Sequence, residues 1–223
     1  QNSQLITNET ILCISKSQHT IYIGTDHGCY VLENGKRTSL LKGYAVSTIY
    51  KGTRNILWAG TDGKGIYQFF ENSRFIHSPK LTNIESPIRA ILQEDKTVWI
   101  GSKGNGLSRY QMVNEDSMVN TNNYDLGPGR SYNAVFSLCK GIDGKLFIGT
   151  DGNGLPFIEN RKLQKMIFKN PKDEKAVYSV YSILQENDST LYVGTSGNGL
   201  LKLTIKDNLV LRINKYGLSQ GRN

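Results

Sequence analysis

Arg130 and Tyr132 are the residues of this chain whose types and spacing best suit ligand recognition. They lie two residues apart in the run Pro128-Gly129-Arg130-Ser131-Tyr132, whose proline and glycine are typical of a loop. An arginine binds carboxylate or sulfate through its planar fork of donors, and an aromatic ring packs against the face of a sugar. The pair is therefore a candidate carbohydrate site. The alternative is that both are ordinary solvated loop residues or part of the core.

Two lysines, Lys64 and Lys103, are further candidate ligand-binding residues. They lie in two copies of a repeated loop, Asp62-Gly63-Lys64-Gly65 and Lys103-Gly104-Asn105-Gly106, whose paired glycines suit a chain reversal. Loops on a rigid scaffold commonly carry recognition, and an ammonium group there would attract an anionic ligand.

The acidic residues form no pattern that predicts catalysis. Glycoside hydrolysis needs two carboxylates flanking the scissile bond, about 5 to 9 Å apart. Asp26, Asp62 and Asp151 occupy the same position in three repeats, which favours a role in turns over an acid–base pair. The sequence also has no Gly-rich phosphate loop and no His-Glu-x-x-His motif. We predict no enzyme activity and no catalytic residue in this segment.

Cysteine and histidine are too few and too scattered to predict a metal site or a cofactor. No Cys-x-x-Cys occurs, and the three histidines are far apart: His19, His27 and His77. Cys13 and Cys29 fall on strands separated by another strand, which is beyond the reach of a disulfide. We expect Cys13, Cys29 and Cys139 to be buried thiols, with a reactive, metal-binding or disulfide role as the alternative.

The chain is basic, with 27 Lys and Arg against 19 Asp and Glu and a formal net charge of +8. The densest basic run comprises Arg161, Lys162, Lys165, Lys169, Lys172 and Lys175. Lysines commonly protect an outer strand from edge-to-edge pairing, and this is the favoured interpretation. Binding of an acidic polysaccharide stays open, whereas no motif of a nucleic-acid reader accompanies the charge.

Five copies of one short phrase determine where these residues lie. Each copy has an aromatic residue, an aliphatic residue, glycine, and Thr or Ser, and the glycines are Gly24, Gly60, Gly101, Gly149 and Gly194. Consecutive glycines are 36, 41, 48 and 45 residues apart. This period suits about four short strands per repeat.

Each repeat predicts four antiparallel strands, A to D, with the glycine phrase in strand B. Short apolar runs rich in β-branched residues, such as Val46–Tyr50, come before the phrase, and a Gly-Leu or Gly-Ile run follows it. Polar turns separate the runs, and Asp143-Gly144 predicts a hairpin with a primed turn. Trp58 and Trp99, in strand B, are expected to pack between neighbouring sheets.

The predicted fold class is all-β, a β-propeller of four-stranded antiparallel blades. A single four-stranded sheet cannot bury both of its faces, so neighbouring sheets must stack, and the propeller is the architecture that stacks such sheets radially. A β-helix uses shorter periods, and an immunoglobulin-like sandwich does not repeat its sequence. About five blades are expected in one domain over 1–223, at residues 5–43, 44–84, 85–130, 131–175 and 176–217.

These motifs resemble a known family. The pattern Val-x-x-Ile, a polar turn with Asp-Gly, Leu-Trp-Ile-Gly-Thr and Gly-Leu is similar to the two-component regulator propeller repeat. That repeat fills the periplasmic sensor region of hybrid two-component histidine kinase/response regulators of Bacteroides-type bacteria. The resemblance covers essentially the whole chain and is fullest at 143–155 and 191–200. Pro156, in strand C of the fourth copy, predicts an edge or irregular position there.

The resemblance implies a periplasmic sensor segment that binds glycan-derived oligosaccharides and regulates polysaccharide-utilisation genes through signal transduction. The expected partners are an oligosaccharide, acidic if the basic loops bind it, and other domains or a second copy of the sensor. We expect no nucleic-acid partner, no cofactor, and membrane attachment only through segments outside this chain, where a histidine kinase would also lie. The alternatives are a protein–protein scaffold propeller and, less favoured, a propeller glycosidase or lyase.

Both ends of the chain share one phase of the repeat. The lead-in Gln4–Thr10 is similar to the closing run Tyr216–Asn223, which predicts that the five repeats belong to a longer array. No run approaches the roughly 18 apolar residues that span a bilayer, and no signal peptide precedes the repeats, as expected of a mature or excised segment.

Overall fold

A computed structural model describes residues 7–70, 75–77, 84–115 and 117–216 of the 223-residue chain. Within these ranges the strands form five sheets, and the chain divides into two compact units. The first unit is Gln1–Val98 with Gln111–Val119, and the second is Trp99–Tyr110 with Asn120–Asn223. The described residues leave out residues 4–6 of the lead-in and residues 217–223 of the closing run. They also leave out parts of the first, second, third and fifth predicted repeats.

The first and second sheets belong to the first unit. The first sheet contains β1 (Ile11–Ser17), β2 (Thr20–Thr25), β3 (Cys29–Glu33) and β4 (Lys36–Leu40). The second contains β5 (Val46–Lys51), β6 (Ile56–Thr61), β7 (Ile66–Phe70) and β8 (Phe75–His77). Consecutive strands pair antiparallel. One apolar core joins the sheets, with Tyr22 and Cys29 from the first and Val46, Leu57 and Phe69 from the second.

The third sheet has residues in both units. Its strands, in spatial order from one edge to the other, are β9 (Ile88–Glu94), β10 (Thr97–Ser102), β11 (Leu107–Met112) and β12 (Met118–Tyr124). Strand β12 occupies the first five residues, 120–124, of the variable stretch between Asn120 and Asn133. Trp58 in β6 and Trp99 in β10 are buried, which confirms that strand B tryptophans belong to the core.

The fourth and fifth sheets lie in the second unit. The fourth contains β13 (Val135–Lys140), β14 (Leu146–Thr150), β15 (Pro156–Glu159) and β16 (Lys162–Lys165). The fifth contains β18 (Val180–Asn187), β19 (Thr190–Thr195), β20 (Gly199–Lys206) and β21 (Leu209–Tyr216). Between them, β17 (Ile167–Phe168) pairs parallel with β21 and covers the outer edge of the fifth sheet. This crossover was not predicted from the sequence.

The glycine of strand B is required by the close approach of the next sheet. At Gly60 an added Cβ would lie 2.6 Å from Ile88 Cγ2 of the third sheet and 2.7 Å from Thr48 Cγ2. A Cβ at Gly24 would lie 2.5 Å from the carbonyl oxygen of Val46. The recurring glycine therefore marks the place where strand A of one sheet packs onto strand B of the sheet before it.

These sheets confirm the predicted fold class, an all-β chain of four-stranded, propeller-type blades. One short helix departs from it, a 3₁₀ helix at Pro171–Val177. Asn170 accepts a hydrogen bond from the Lys172 N–H, and Pro171 starts the first turn, so the helix follows a common N-terminal pattern that the strand interpretation missed.

One local prediction was wrong and another was right in part. Pro156 lies in β15, an inner strand and not an edge, but its position is irregular: it is the first residue of the strand, and the pairing of β15 with β14 ends at Phe157. At Asp143-Gly144, only Gly144 has a positive φ, 87°, so this hairpin is not primed. Primed turns occur instead at Asn34-Gly35, whose φ angles are 48° and 75°, and at Asn160-Arg161, whose φ angles are 49° and 61°.

The basic run is divided between two elements. Lys162 and Lys165 lie on β16, the outer strand of the fourth sheet, as predicted. Lys172 and Lys175 lie on the 3₁₀ helix, because the chain leaves the sheet edge after Lys165. The second half of the run is therefore not an outer strand.

Candidate functional site

Pairs of glycine amides in the loops between strands B and C bind the segments that precede strand A of the next sheet. Gly104 and Gly106, with φ of 106° and 72°, both donate to the carbonyl oxygen of Asn133, at 3.0 and 2.8 Å. Gly152 and Gly154 donate to Tyr178 in the same way, at 2.9 and 3.3 Å. Positive φ turns both amides towards one acceptor, which explains the Gly-x-Gly spacing. The loops thus fix the connections that carry the candidate residues.

The connection at 125–134 is organised by the side chain of Asn133. Its Oδ1 accepts from the Leu126 N–H at 2.8 Å, and its Nδ2 donates to Asp125 Oδ1 and the Gly127 carbonyl at 2.8 and 2.9 Å. The Asn133 amide and the Gly127 N–H hold the pKa of the Asp125 carboxyl below its usual value. This loop therefore has a defined conformation despite its glycines.

A second asparagine holds the same loop from the fourth sheet. Asn153 is buried, its N–H donates to Thr150 Oγ1 at 3.1 Å, and its Nδ2 donates to the carbonyl of Leu126. A buried amide with both contacts satisfied restrains the groups it binds. Asn153 thus positions the loop that contains Arg130 and Tyr132.

Tyr132 and Tyr178 form an aromatic pair on the outside of this loop. Their hydroxyl groups share a hydrogen bond of 2.9 Å, and their rings are 6.4 Å apart in an edge-to-face arrangement of 78°. The side of the Tyr178 ring lies over Gly152, where a Cβ would be 3.3 Å from Tyr178 Cε1. The hydrogen bond to Tyr132 raises the pKa of Tyr178, so the Tyr178 phenol stays neutral at physiological pH. Tyr178 is 49% exposed and offers its ring to a ligand.

Arg130 extends along the neighbouring glycine loop. A Cβ on Gly104 would lie 3.3 Å from Arg130 Nε, so the guanidinium stem runs beside the loop that contains Lys103. Lys103 itself pairs with Ala134 through an isolated β-bridge. Arg130 and Lys103 are both exposed, and among the described residues Arg130 has no ion-pair partner. Both positive charges are available to an anion.

We refer to the surface made by the exposed residues Lys103, Arg130 and Tyr178 and the half-buried Tyr132 as the second-unit rim. It brings together three of the four residues predicted from the sequence, Lys103, Arg130 and Tyr132. The fourth, Lys64, lies in the first unit, where it is exposed and its N–H donates to Thr61 Oγ1 at 3.1 Å.

Sequence reasoning missed Tyr178, Asn133 and Asn153 as site residues. Asn133 and Tyr178 each lie two residues before the first residue of strand A, Val135 and Val180. This position supplies the carbonyl that the glycine pair of the preceding sheet binds. The position could have been found by aligning the repeats on strand A, whereas the contact of Asn153 with Leu126 has no local signal.

A basic cavity lies against the 3₁₀ helix in the same unit. It has a volume of about 230 Å³ and is lined by residues that include Lys172, Lys175, Lys215 and Asn198. Lys215 Nζ donates to Asn198 Oδ1 at 3.4 Å. Asp173 is the single carboxylate in its lining. The connection 170–179 thus carries lysines at the cavity and Tyr178 at the rim.

The repeated aspartates tie loops to the start of strand A. Asp151 Oδ1 accepts from Ser179 Oγ at 2.7 Å, and Asp26 Oδ1 accepts from the Thr10 N–H at 3.1 Å. His27 lies 2.9 Å from Asp26 and lowers the pKa of that carboxyl. Asp62 lies 3.7 Å from Arg89. Each of these carboxylates therefore binds a segment at or near the start of a strand A, outside its own turn.

The three thiols differ in burial. Cys29 is buried, as predicted, and burial raises its pKa to about 12. Cys13 and Cys139 are only partly buried, which corrects the expectation for them, and burial raises the pKa of Cys13 to about 11. All three are free thiols. In the part of the chain that the structure describes, no three His, Cys, Asp or Glu side chains are grouped to hold a metal ion.

Comparison with known proteins places this fold among propeller structures. No family model matches the chain, and no curated protein matches it. The extracellular domain of the putative hybrid two component system BT3049 from B. thetaiotaomicron is similar in structure, with a TM-score of 0.77, 22% identity, and coverage of 100% of this chain and 30% of that one.

Two further structures are similar at lower identity. The extracellular domain of the putative hybrid two component system BT4673 from B. thetaiotaomicron has a TM-score of 0.73 and 18% identity, over 96% of this chain and 29% of that one. Virginiamycin B lyase from Staphylococcus aureus has a TM-score of 0.74 and 15% identity, over 96% of this chain and 72% of the lyase. Our chain spans less than a third of the two extracellular domains. Because these sequence identities are below 25%, the similarity shows a shared fold alone.

Among residues that the structure describes, no helix has the length and apolar character needed to cross a membrane.

Proposed function

We propose that this chain is a propeller segment of a periplasmic sensor that binds an acidic, glycan-derived oligosaccharide at the second-unit rim. In this proposal the sensor belongs to a hybrid two-component system and regulates polysaccharide-utilisation genes. The proposal is supported by the fold shared with extracellular domains of putative two component systems and by the chemistry of the rim.

The Tyr132–Tyr178 pair is the single observation that carries the proposal. The exposed ring of Tyr178 and the half-buried ring of Tyr132, at 78° to each other, offer a face and an edge to a sugar ring, and the shared hydroxyl bond keeps them in that arrangement. Aromatic rings on a rigid loop bind at low entropic cost because few torsions are lost.

The positive charges select the class of sugar. Arg130 and Lys103 lie along one glycine loop, and Arg130 has the fork geometry that pairs with a carboxylate in a bidentate manner. Lysines 172, 175 and 215 line the basic cavity, which lies on the connection that also carries Tyr178 and has room for about one sulfate or uronate group. An oligosaccharide that carries uronate or sulfate groups fits both features.

Calorimetric titration of the protein with matched oligosaccharides tests this proposal. Uronate-bearing and sulfated fragments should bind, and their neutral counterparts should bind at least tenfold more weakly. Arg130→Ala should remove that preference, and Tyr178→Ala should weaken both classes. Lys64→Ala is the matched control, an exposed lysine in an equivalent loop of the other unit, and should change nothing. A flat response to every glycan would overturn the proposal.

The signalling part of the proposal has its own test. Deletion of the gene in its host should abolish induction of polysaccharide-utilisation genes by the glycan that binds the purified protein. Induction that survives in the deletion strain would contradict it. Turnover of the bound glycan by the purified protein would instead favour a propeller lyase or glycosidase.

A further inference from the structure

We propose that a cavity between the first and second sheets is a binding site for a free amino acid with an apolar side chain. The cavity has a volume of about 520 Å³, within the range of about 300–1,000 Å³ that is typical of small-molecule sites. It lies within the first unit, and its residues are different from those of the second-unit rim. We refer to it as the first-unit cavity.

The inner wall of the first-unit cavity is apolar. Tyr22 and Val31 line it from the first sheet, and Leu57, Phe69 and Phe70 line it from the second. Tyr22, Leu57 and Phe69 are 4%, 1% and 5% exposed, so they belong to the core that joins the two sheets. An apolar group that enters the cavity therefore meets side chains already held in place by packing.

The mouth of the cavity carries two opposite charges. Glu33 and Lys36 lie opposite each other in the register of β3 and β4, and both are exposed. Thr20 Oγ1 donates to Glu33 Oε1 at 3.3 Å, which is the only side-chain contact of that carboxylate among the described residues. The Lys36 ammonium has no partner among them. A carboxylate and an ammonium are therefore both available to a ligand at the end of the apolar wall.

The fourth sheet shows what side chains can hold at the equivalent positions. Aligned on the glycine of strand B, this sheet has Lys145, Phe157 and Glu159 where the first sheet has Thr20, Val31 and Glu33. Lys145 is 5% exposed, and its Nζ lies 3.5 Å from the Glu159 carboxylate and 5.8 Å from the ring centroid of Phe157. Lys145 also pairs with Asp143. The fourth sheet therefore fills this space with an ammonium group and an aromatic ring of its own.

Smaller side chains leave the same space open in the first sheet. Thr20 and Val31 replace the lysine and the phenylalanine, whereas the glutamate is retained as Glu33. The Glu33 carboxylate thus borders a cavity that lacks the ammonium group bound by its equivalent. A ligand with an ammonium group and an apolar body would restore both contacts, a charge-assisted hydrogen bond and the burial of apolar surface.

Lys36 narrows the class of ligand to a zwitterion. A simple amine bound at Glu33 would lie near the like charge of Lys36, whereas the carboxylate of an amino acid can pair with that lysine. Directly opposed residues of an antiparallel pair are close neighbours, so their charges suit two groups attached to one carbon atom. A free amino acid with an aromatic or branched aliphatic side chain therefore fits the apolar wall and both charges.

Calorimetric titration of the protein with L-phenylalanine tests the proposal. L-phenylalanine should bind at millimolar concentrations or below. Phenylpropionate keeps the ring and the carboxylate but lacks the ammonium group, and it should bind at least tenfold more weakly. Glucose, a neutral probe of the hydroxyl groups at the mouth, should not displace L-phenylalanine. Absence of L-phenylalanine binding at millimolar concentrations, equal binding of phenylpropionate, or displacement by glucose would overturn the proposal.

A pair of matched substitutions locates the site. Glu33→Gln should weaken the binding of L-phenylalanine at least tenfold, because it removes the carboxylate that binds the ammonium group. Glu115→Gln, which changes an exposed glutamate outside the cavity lining, should leave binding unchanged. Equal affinity of the Glu33→Gln variant and the unmodified protein would contradict the proposal.

A double variant fills the cavity with the side chains that the fourth sheet uses. Thr20→Lys combined with Val31→Phe should abolish binding, because the protein then supplies its own ammonium group and ring. Retained binding in this variant would place the ligand elsewhere and overturn the proposal. If the double variant fails to fold, the comparison of Glu33→Gln with Glu115→Gln decides, since both of those positions are exposed.

Discussion

The indole N–H of Trp58 donates a hydrogen bond of 2.8 Å to Oε1 of Gln93 in the neighbouring sheet. Gln93 Nε2 donates in turn to the carbonyl of Asp95 at 2.8 Å, in the turn at the end of its own strand. Gln185 repeats the arrangement in the second unit: its Oε1 accepts from the Ile142 N–H at 2.9 Å and its Nε2 donates to Asn187 at 3.0 Å. A glutamine at the end of strand A therefore links two sheets in each unit.

Gln93→Ala should destabilise the fold by about 1–3 kcal/mol because it leaves the buried Trp58 N–H without an acceptor. The matched variant Gln185→Ala should cost less, since Gln185 is partly exposed and water can replace it. Urea unfolding followed by tryptophan fluorescence measures both. Equal losses for the two variants would show that burial of the Trp58 bond is not what matters.

Gly60→Ala should destabilise the protein through contact with Ile88, by about 1–3 kcal/mol. The cost should be smaller in an Ile88→Ala background, because the atom that the new methyl group meets is gone. Gly35→Ala is the control, since its Cβ would meet nothing within 4 Å and its cost comes only from a φ of 75°. That cost should be the same in both backgrounds. A Gly60→Ala cost independent of residue 88 would refute the close-approach explanation.

Local sequence signals were enough to predict strands A, B and C of each repeat. The glycine phrase recurs because strand packing at Gly24 and Gly60 excludes a side chain, so the sequence period directly reflects the blade. The dipeptide Asn34-Gly35 is also a strong sequence signal for a primed hairpin, and the sequence analysis overlooked it. Strand β17 had no such signal, because two residues gain their conformation only from the edge of β21.

The candidate site was predictable only in part, because some of its contacts also join residues that are distant in the sequence. Arg130 and Tyr132 were chosen by residue type in a loop, and the structure places them beside Lys103. Tyr178 lies 46 residues from Tyr132, and their pairing follows from how the fourth and fifth sheets begin. Residue types suggest chemistry, but contacts between successive repeats depend on the packing of one sheet on the next.

Asp125 should titrate below the ordinary value of an aspartate, about 3.9 in model peptides, because Asn133 and the Gly127 N–H bind its charged form. Its folded pKa is lower than its unfolded pKa, so ionised Asp125 stabilises the fold above about pH 4. That contribution is lost as the pH falls through the lowered value. Carbon-detected NMR titration should show the pKa of Asp125 rising in Asn133→Ala. The pKa of Asp26, which His27 lowers, should not move in that variant. An unchanged Asp125 titration would exclude Asn133 as the cause.

The thiols should react with a maleimide in an order set by burial. Cys29 is 0% exposed with a pKa raised to about 12, so it should be the slowest at pH 8, where almost none of it is thiolate. Cys13, whose pKa is raised to about 11, should react more slowly than Cys139. Cys139 is partly exposed, and its partial burial also raises its pKa. Peptide mass spectrometry over a time course resolves the three sites. Raising the pH to 9 should speed labelling of Cys139 by up to tenfold, in proportion to the thiolate. Labelling of Cys29 at the same rate as Cys139 would mean that the core between the first and second sheets opens far more often than its packing indicates.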